Sequence, residues 1–131
     1  MKDLLCDGFQ QTVAQLLLRH RSILDVLSKL QETGARTNRA VAKAVTVCGC
    51  LSVNASRQKI PLDASLQNLH HFVDTHLSGN ICPSCREAVE TEMGSLLFYL
   101  AALCNLLNIN LYDILVKEQK RLDLLHVYNL T

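Results

Sequence analysis

The chain has 131 residues and 14.6 kDa, the size of a single domain. At 49% hydrophobic and 19% charged residues it is too apolar for disorder, and 5 glycines and 2 prolines exclude collagen-like or low-complexity sequence. A net charge of +1 creates no field that would recruit nucleic acid or anionic lipid, so a nucleic-acid partner is disfavoured.

Leucine fills 25 positions, aromatics only 5%, and tryptophan is absent. That balance predicts helices packed on helices, in one helical domain over residues 1–131. The first helix is expected over about Lys2–Arg19, with Phe9, Val13, Leu16 and Leu17 as its buried stripe. Ser22 and Asp25 resemble a capping box and open a long second helix, about Ile23–Val47. Its expected buried stripe is Ile23, Leu27, Leu30, Gly34, Val41, Ala44, Val45 and Cys48, with Gly49 as a left-handed cap. After a polar connector, Pro61 and Asp63 predict a third helix with Leu62, Leu66, Leu69, Val73 and Leu77 on its inner side, stopped at Ser78-Gly79-Asn80. Pro83 opens a second long helix, about Ser84–Leu107, and Asn110 caps a fifth, about Leu111–Leu125. The expected architecture is an all-α bundle of about five helices, two of them long.

The segment Leu96–Leu107 is apolar nearly all round, which predicts a homodimer built near it. No apolar run approaches the roughly 20 residues of a membrane span, so no membrane partner is expected. Asp3, Asp7 and Gly8 interrupt any signal-peptide core, and the expected compartment is the cytoplasm. In that reducing setting six cysteines are thiols or metal ligands rather than disulfides.

Four of them form a constellation: Cys48-x-Cys50 and Cys82-x-x-Cys85, each pair at an expected helix end. Four thiolates are the ligand set of structural zinc, and Fe–S clusters use the same set. Unligated thiols and a redox or metal-sensing dithiol are the competing readings, the second because a cysteine at a helix N-terminus is acidified. Cys104 falls on an apolar stripe and reads as a core residue.

A second pattern lies in Glu92-Met93-Gly94-Ser95 followed by the apolar Leu96–Leu107 helix, and in Lys29-Leu30-Gln31-Glu32-Thr33-Gly34-Ala35 upstream. Together these resemble the two signatures of the MazG-like all-α nucleoside triphosphate pyrophosphohydrolases, over about residues 22–125. The resemblance implies a helical bundle, often dimeric, that cleaves nucleoside triphosphates with Mg²⁺ held by two pairs of acids. Glu32 and Glu92 match the first acid of each pair. Ala35 and Ser95 stand where the second acids belong. Lys117, Lys120 and Arg121 fall where the family carries phosphate-contacting basic residues, although a solvated helix face is the favoured reading of them. Two carboxylates hold Mg²⁺ far less well than four. The expectation is therefore a non-enzymatic protein with a degenerate Mg²⁺–nucleotide site and a four-cysteine metal site. A pyrophosphohydrolase with an altered carboxylate set is the alternative.

Overall fold

The computed structural model describes residues 4–17, 21–65 and 67–130, the side chains of 127–130 excepted. The chain is mainly helical. Among the described residues four α-helices carry it: α1 (Leu4–Leu16), α2 (Ile23–Lys43), α3 (Pro83–Leu106) and α4 (Leu111–Leu130). A π-helical turn, Ala44–Cys48, continues α2. Two three-residue strands, β1 (Leu51–Val53) and β2 (Leu77–Gly79), pair antiparallel between α2 and α3.

The helix ends follow from local chemistry. Ser22 is the N-cap of α2, its Oγ accepting from the Leu24 N–H at 3.3 Å. Asp25 in the first turn and Lys43 in the last complement the helix dipole. Asn110 Oδ1 accepts from the Asp113 N–H at 2.9 Å and starts α4, while Asn108, at φ +56°, makes the turn before it. That turn swings α4 through 104° from α3. The ends predicted for the first helix lie outside the described residues.

α2 and α3 form the principal pair and run antiparallel. Val26 packs with Ala102, Arg36 meets Glu92, and Cys48 meets Cys82. The buried face of α2 differs from the predicted stripe: Val26, Thr33 and Thr37 are buried, whereas Ile23, Leu27 and Val41 are exposed, and Ala44, in the π turn, is buried as expected. The reason is close approach to α3, which small residues permit. Thr33 and Thr37 satisfy their hydroxyls on their own helix, donating to the carbonyls of Lys29 and Thr33 at 2.8 Å each. At the far end, Val13 and Leu17 complete a small core with Val26, Ala101 and Ala102, flanked by Phe98, Tyr99, Leu103, Leu106 and Leu111.

Gln10 pins α1 to the α3–α4 corner. Its amide donates to Asn105 Oδ1 (2.9 Å) and to the Ile109 carbonyl (2.7 Å), and its Oε1 accepts from the Leu111 N–H (2.8 Å). The Asn105 amide donates back to the Gln10 carbonyl at 3.0 Å.

The expected third helix does not form. The described residues of 54–76 are irregular apart from one 3₁₀ turn, Leu69–His71, and Leu77–Gly79 is strand. Its apolar positions are mostly uncovered: Leu62, Val73 and Leu77 are exposed, Leu69 is half-buried, and Leu66 lies outside the described residues. Asp63 sits in a turn closed by the Ala64 N–H on the Pro61 carbonyl. Gln58 instead closes the excursion, accepting from the Asp74 N–H and donating to the Asp74 carbonyl, both at 2.8 Å. Among the described residues no single helix is long and apolar enough to cross a membrane.

Candidate metal centre

Each cysteine pair is delivered by a helix terminus. At the end of α2 the π turn widens the backbone, and Gly49 takes the left-handed conformation (φ +80°) with its N–H on the Ala44 carbonyl. This reversal turns Cys50 back toward the same point as Cys48. At the start of α3, Cys82 is the N-cap and Pro83 follows, where its missing N–H costs nothing. The Cys85 N–H donates to Cys82 Sγ at 3.4 Å.

The β1–β2 ladder sets the two pairs against each other, with Leu51 opposite Gly79, Ser52 opposite Ser78 and Val53 opposite Leu77. Cys50 and Asn80 flank it, so the ladder leads directly from one pair to the other. The Asn54 N–H on the His76 carbonyl, 2.9 Å, extends the ladder at its open end.

The ligand atoms of Cys48, Cys50, Cys82 and Cys85 all lie within 4.8 Å of one another, and the Cys48 and Cys82 thiols are 3.8 Å apart. A tetrahedral ion with metal–sulfur bonds of about 2.3 Å has sulfur–sulfur edges of about 3.8 Å. One edge already has that length. All four residues are free thiols, and Cys48 is exposed at the rim. The predicted quartet is thus assembled in space, and a metal ion fits it.

The electrostatics favour a cation. The backbone N–H of Cys85, and then its thiol, pull the Cys82 thiol down to about 7. The Cys85 thiol is pushed up to about 12, first by its hydrogen bond with Cys82 and then by burial. One thiolate so close to three other sulfurs suppresses ionisation of the next. A divalent ion removes that repulsion and displaces the remaining protons.

The other cysteines behave differently. Cys104 is buried on α3, and burial pushes its thiol up. Cys6 is half-buried on α1. His76 faces the Gln58 amide, at 3.4 Å, and is not part of the thiol group.

The carboxylates are arranged less favourably for a metal. Glu32 on α2 and Glu92 on α3 do lie on facing helices. However, Glu92 Oε2 accepts from Arg36 Nε at 2.6 Å, and Glu32 pairs with Lys29 at 2.9 Å. Among the described residues, the cysteine quartet is the group that brings three or more ligand atoms together. Lys117, Lys120 and Arg121 lie on an exposed face of α4, which packs on α1, and Arg121 forks onto Glu118. No ion pair or hydrogen bond among the described residues joins these three to Glu32 or Glu92.

Two features escaped the sequence reading. Gln10 and Asn105 gave no local signal, because their pairing spans 95 positions. Arg36, Arg39 and Lys43 stand at i, i+3, i+7, a spacing that marks one helix face.

No protein-family model, characterised protein or solved structure matches this chain.

Proposed function

We propose that this chain is a non-catalytic helical protein, divergent from the MazG-like group, whose four thiolates hold one structural zinc ion. The observation that carries this is the convergence of Cys48, Cys50, Cys82 and Cys85 within 4.8 Å. Four sulfurs and no oxygen or nitrogen donor suit a borderline-soft ion, and they fill every position of a tetrahedron. A filled tetrahedron leaves no site for water, so the ion's role is to hold structure. Edges this short suit a single ion better than a multi-iron cluster, which spreads its terminal sulfurs more widely.

The fold gives such an ion work. Val13 and Val26 are the largest fully buried side chains among the described residues, so the apolar core is thin. A small domain with a thin core gains from a metal staple, because metal-binding energy is folding energy. The ion would lock the end of α2 to the start of α3.

Two things support the non-catalytic half. Ala35 and Ser95 occupy the positions of the missing acids, and the remaining acids are neutralised by Lys29 and Arg36. What remains for Mg²⁺ and a nucleotide at Glu32 and Glu92 is weak binding. In this reading the protein is a homodimer working in the cytoplasm, where its thiols stay reduced.

The test is elemental analysis of protein purified under reducing conditions. About one zinc per chain is expected, with a chelator lowering the melting temperature. Cys82→Ser should lose the metal, and Cys104→Ser should keep it. Metal-free protein whose four thiols alkylate freely, with no change in melting, would overturn the structural-zinc reading. Pyrophosphate release from common triphosphates, abolished by Glu92→Gln, would overturn the non-catalytic one.

A further inference from the structure

The packing of α2 on α3 leaves a groove of about 620 Å³ that runs from the thiol quartet to the Arg36–Glu92 pair. This falls in the range of small-molecule sites, about 300–1,000 Å³. Arg36, Arg39 and Lys43 line its α2 wall, on one face of the helix. The α3 wall contributes the Thr91 hydroxyl and, with Ala40 opposite, the small apolar side chain of Ala88.

The charge of this groove is lopsided. Glu92 is its one carboxylate, and Arg36 already meets it. Among the described residues neither Arg39 nor Lys43 has an ion-pair partner. The whole chain carries only +1, so the excess is local rather than a reflection of basic composition.

Lys43 is the cation nearer the thiol quartet, five residues before Cys48, and Arg39 is the one nearer Arg36. Beside it, Arg36 spends its Nε on Glu92 and keeps its terminal amino groups. Two guanidinium forks one turn apart suit a tetrahedral oxyanion, which Arg binds through paired hydrogen bonds.

We propose that the α2–α3 groove binds a phosphate-bearing small molecule, held by Arg36 and Arg39 with Thr91 opposite, without a bridging Mg²⁺. This goes beyond the structural-zinc reading and does not depend on it, because the walls are built by helix packing. It also differs from a Mg²⁺-bridged nucleotide at Glu32 and Glu92.

The test is calorimetric titration of the full chain as purified, its metal content measured, with pyrophosphate and with adenosine monophosphate. The buffer is low in salt and free of Mg²⁺. Saturable binding of at least one probe, one per chain with Kd below about 1 mM, is expected. Tighter pyrophosphate binding assigns free phosphates, and tighter monophosphate binding assigns an organic phosphoester. Arg39→Ala should weaken binding about tenfold with the helical circular dichroism unchanged. Glu92→Gln, which releases Arg36, should strengthen it, and Lys120→Ala on α4 should leave it unaltered. Added salt should weaken binding. The proposal is overturned if neither probe binds up to about 10 mM. It also fails if Arg39→Ala binds as the parent does, or if binding appears only when Mg²⁺ is added.

Discussion

A methyl group at position 79 would lie 2.4 Å from the Cys50 carbonyl oxygen, where real side chains do not go. The backbone there also has φ +89°, a conformation that penalises any L side chain. Gly79 is the last residue of β2 and pairs with Leu51 of β1, beside the first cysteine pair. Gly49 differs in one respect: its φ is +80°, but open space surrounds it. The two glycines thus separate strain from collision. Gly49→Ala should cost about 1 kcal/mol, the strain alone. Gly79→Ala should cost more, about 2–4 kcal/mol, because the strands must also part. It should further loosen the metal, since parted strands separate the cysteine pairs. Thermal melts and zinc competition with a chromophoric chelator measure the two effects. A Gly79→Ala protein as stable as Gly49→Ala would show that the ladder does not set the thiol geometry.

At the scale of elements, the helices were legible where their ends carry chemistry. Ser22, Pro83 and Asn110 each mark a start by a hydrogen-bonding or steric rule that acts within a few residues. The cysteine quartet was legible for a similar reason: few roles suit four thiols at such spacings. The segment 54–76 shows the limit. Leu62, Leu69, Val73 and Leu77 have helical spacing, yet periodicity states only which face would be buried, not that a surface exists to bury it. The chain there spends its hydrogen bonds on the Gln58 clamp and on the strands. The stripe of α2 misled for the opposite reason. Its closest contact uses threonines whose hydroxyls fold back on the helix, and a hydropathy pattern passes over them. Gln10 is the most consequential silent residue, because α1 reaches the α3–α4 corner through it. Gln10→Ala should destabilise the protein by about 1–3 kcal/mol, because Asn105 Oδ1, the Ile109 carbonyl and the Leu111 N–H lose their side-chain partner. Urea unfolding should show this with α2 and α3 intact at low denaturant. A variant indistinguishable from the parent would mean that α1 is held by Val13 and Leu17 alone.

At the scale of the whole molecule, the surface is large for a chain of this mass. It exposes 10096 Å². A compact monomer of 14.6 kDa exposes about 6,900 Å², so roughly 3,200 Å² is in excess. Part of it is the 54–76 excursion and the splayed α4. Met93, Leu97 and Leu100 on α3 and Leu107 at its C-cap are all exposed, at the i, i+4, i+7, i+14 spacing of a helix seam. Ile114, Leu115, Leu122 and Leu125 continue the exposed apolar surface on α4. The two helices that carry these residues meet at an angle of 104°. A second copy of the chain carries the same angled surface and can meet it about a two-fold axis, the commonest symmetry of small oligomers. A stable dimer of standard size buries about 1,600 Å² in total, or about 800 Å² per chain, which is well within the excess. Light scattering at micromolar concentration should therefore give twice the 14.6 kDa chain mass. Leu97→Asp with Leu100→Asp should shift the protein to monomer and keep its helical circular dichroism, since the two side chains are already 52% and 37% exposed in the single chain. The variant should also retain its metal, because the thiol quartet lies at the other end of α3. A parent protein that is monomeric under these conditions, with an ordinary melting temperature, would sink the dimer.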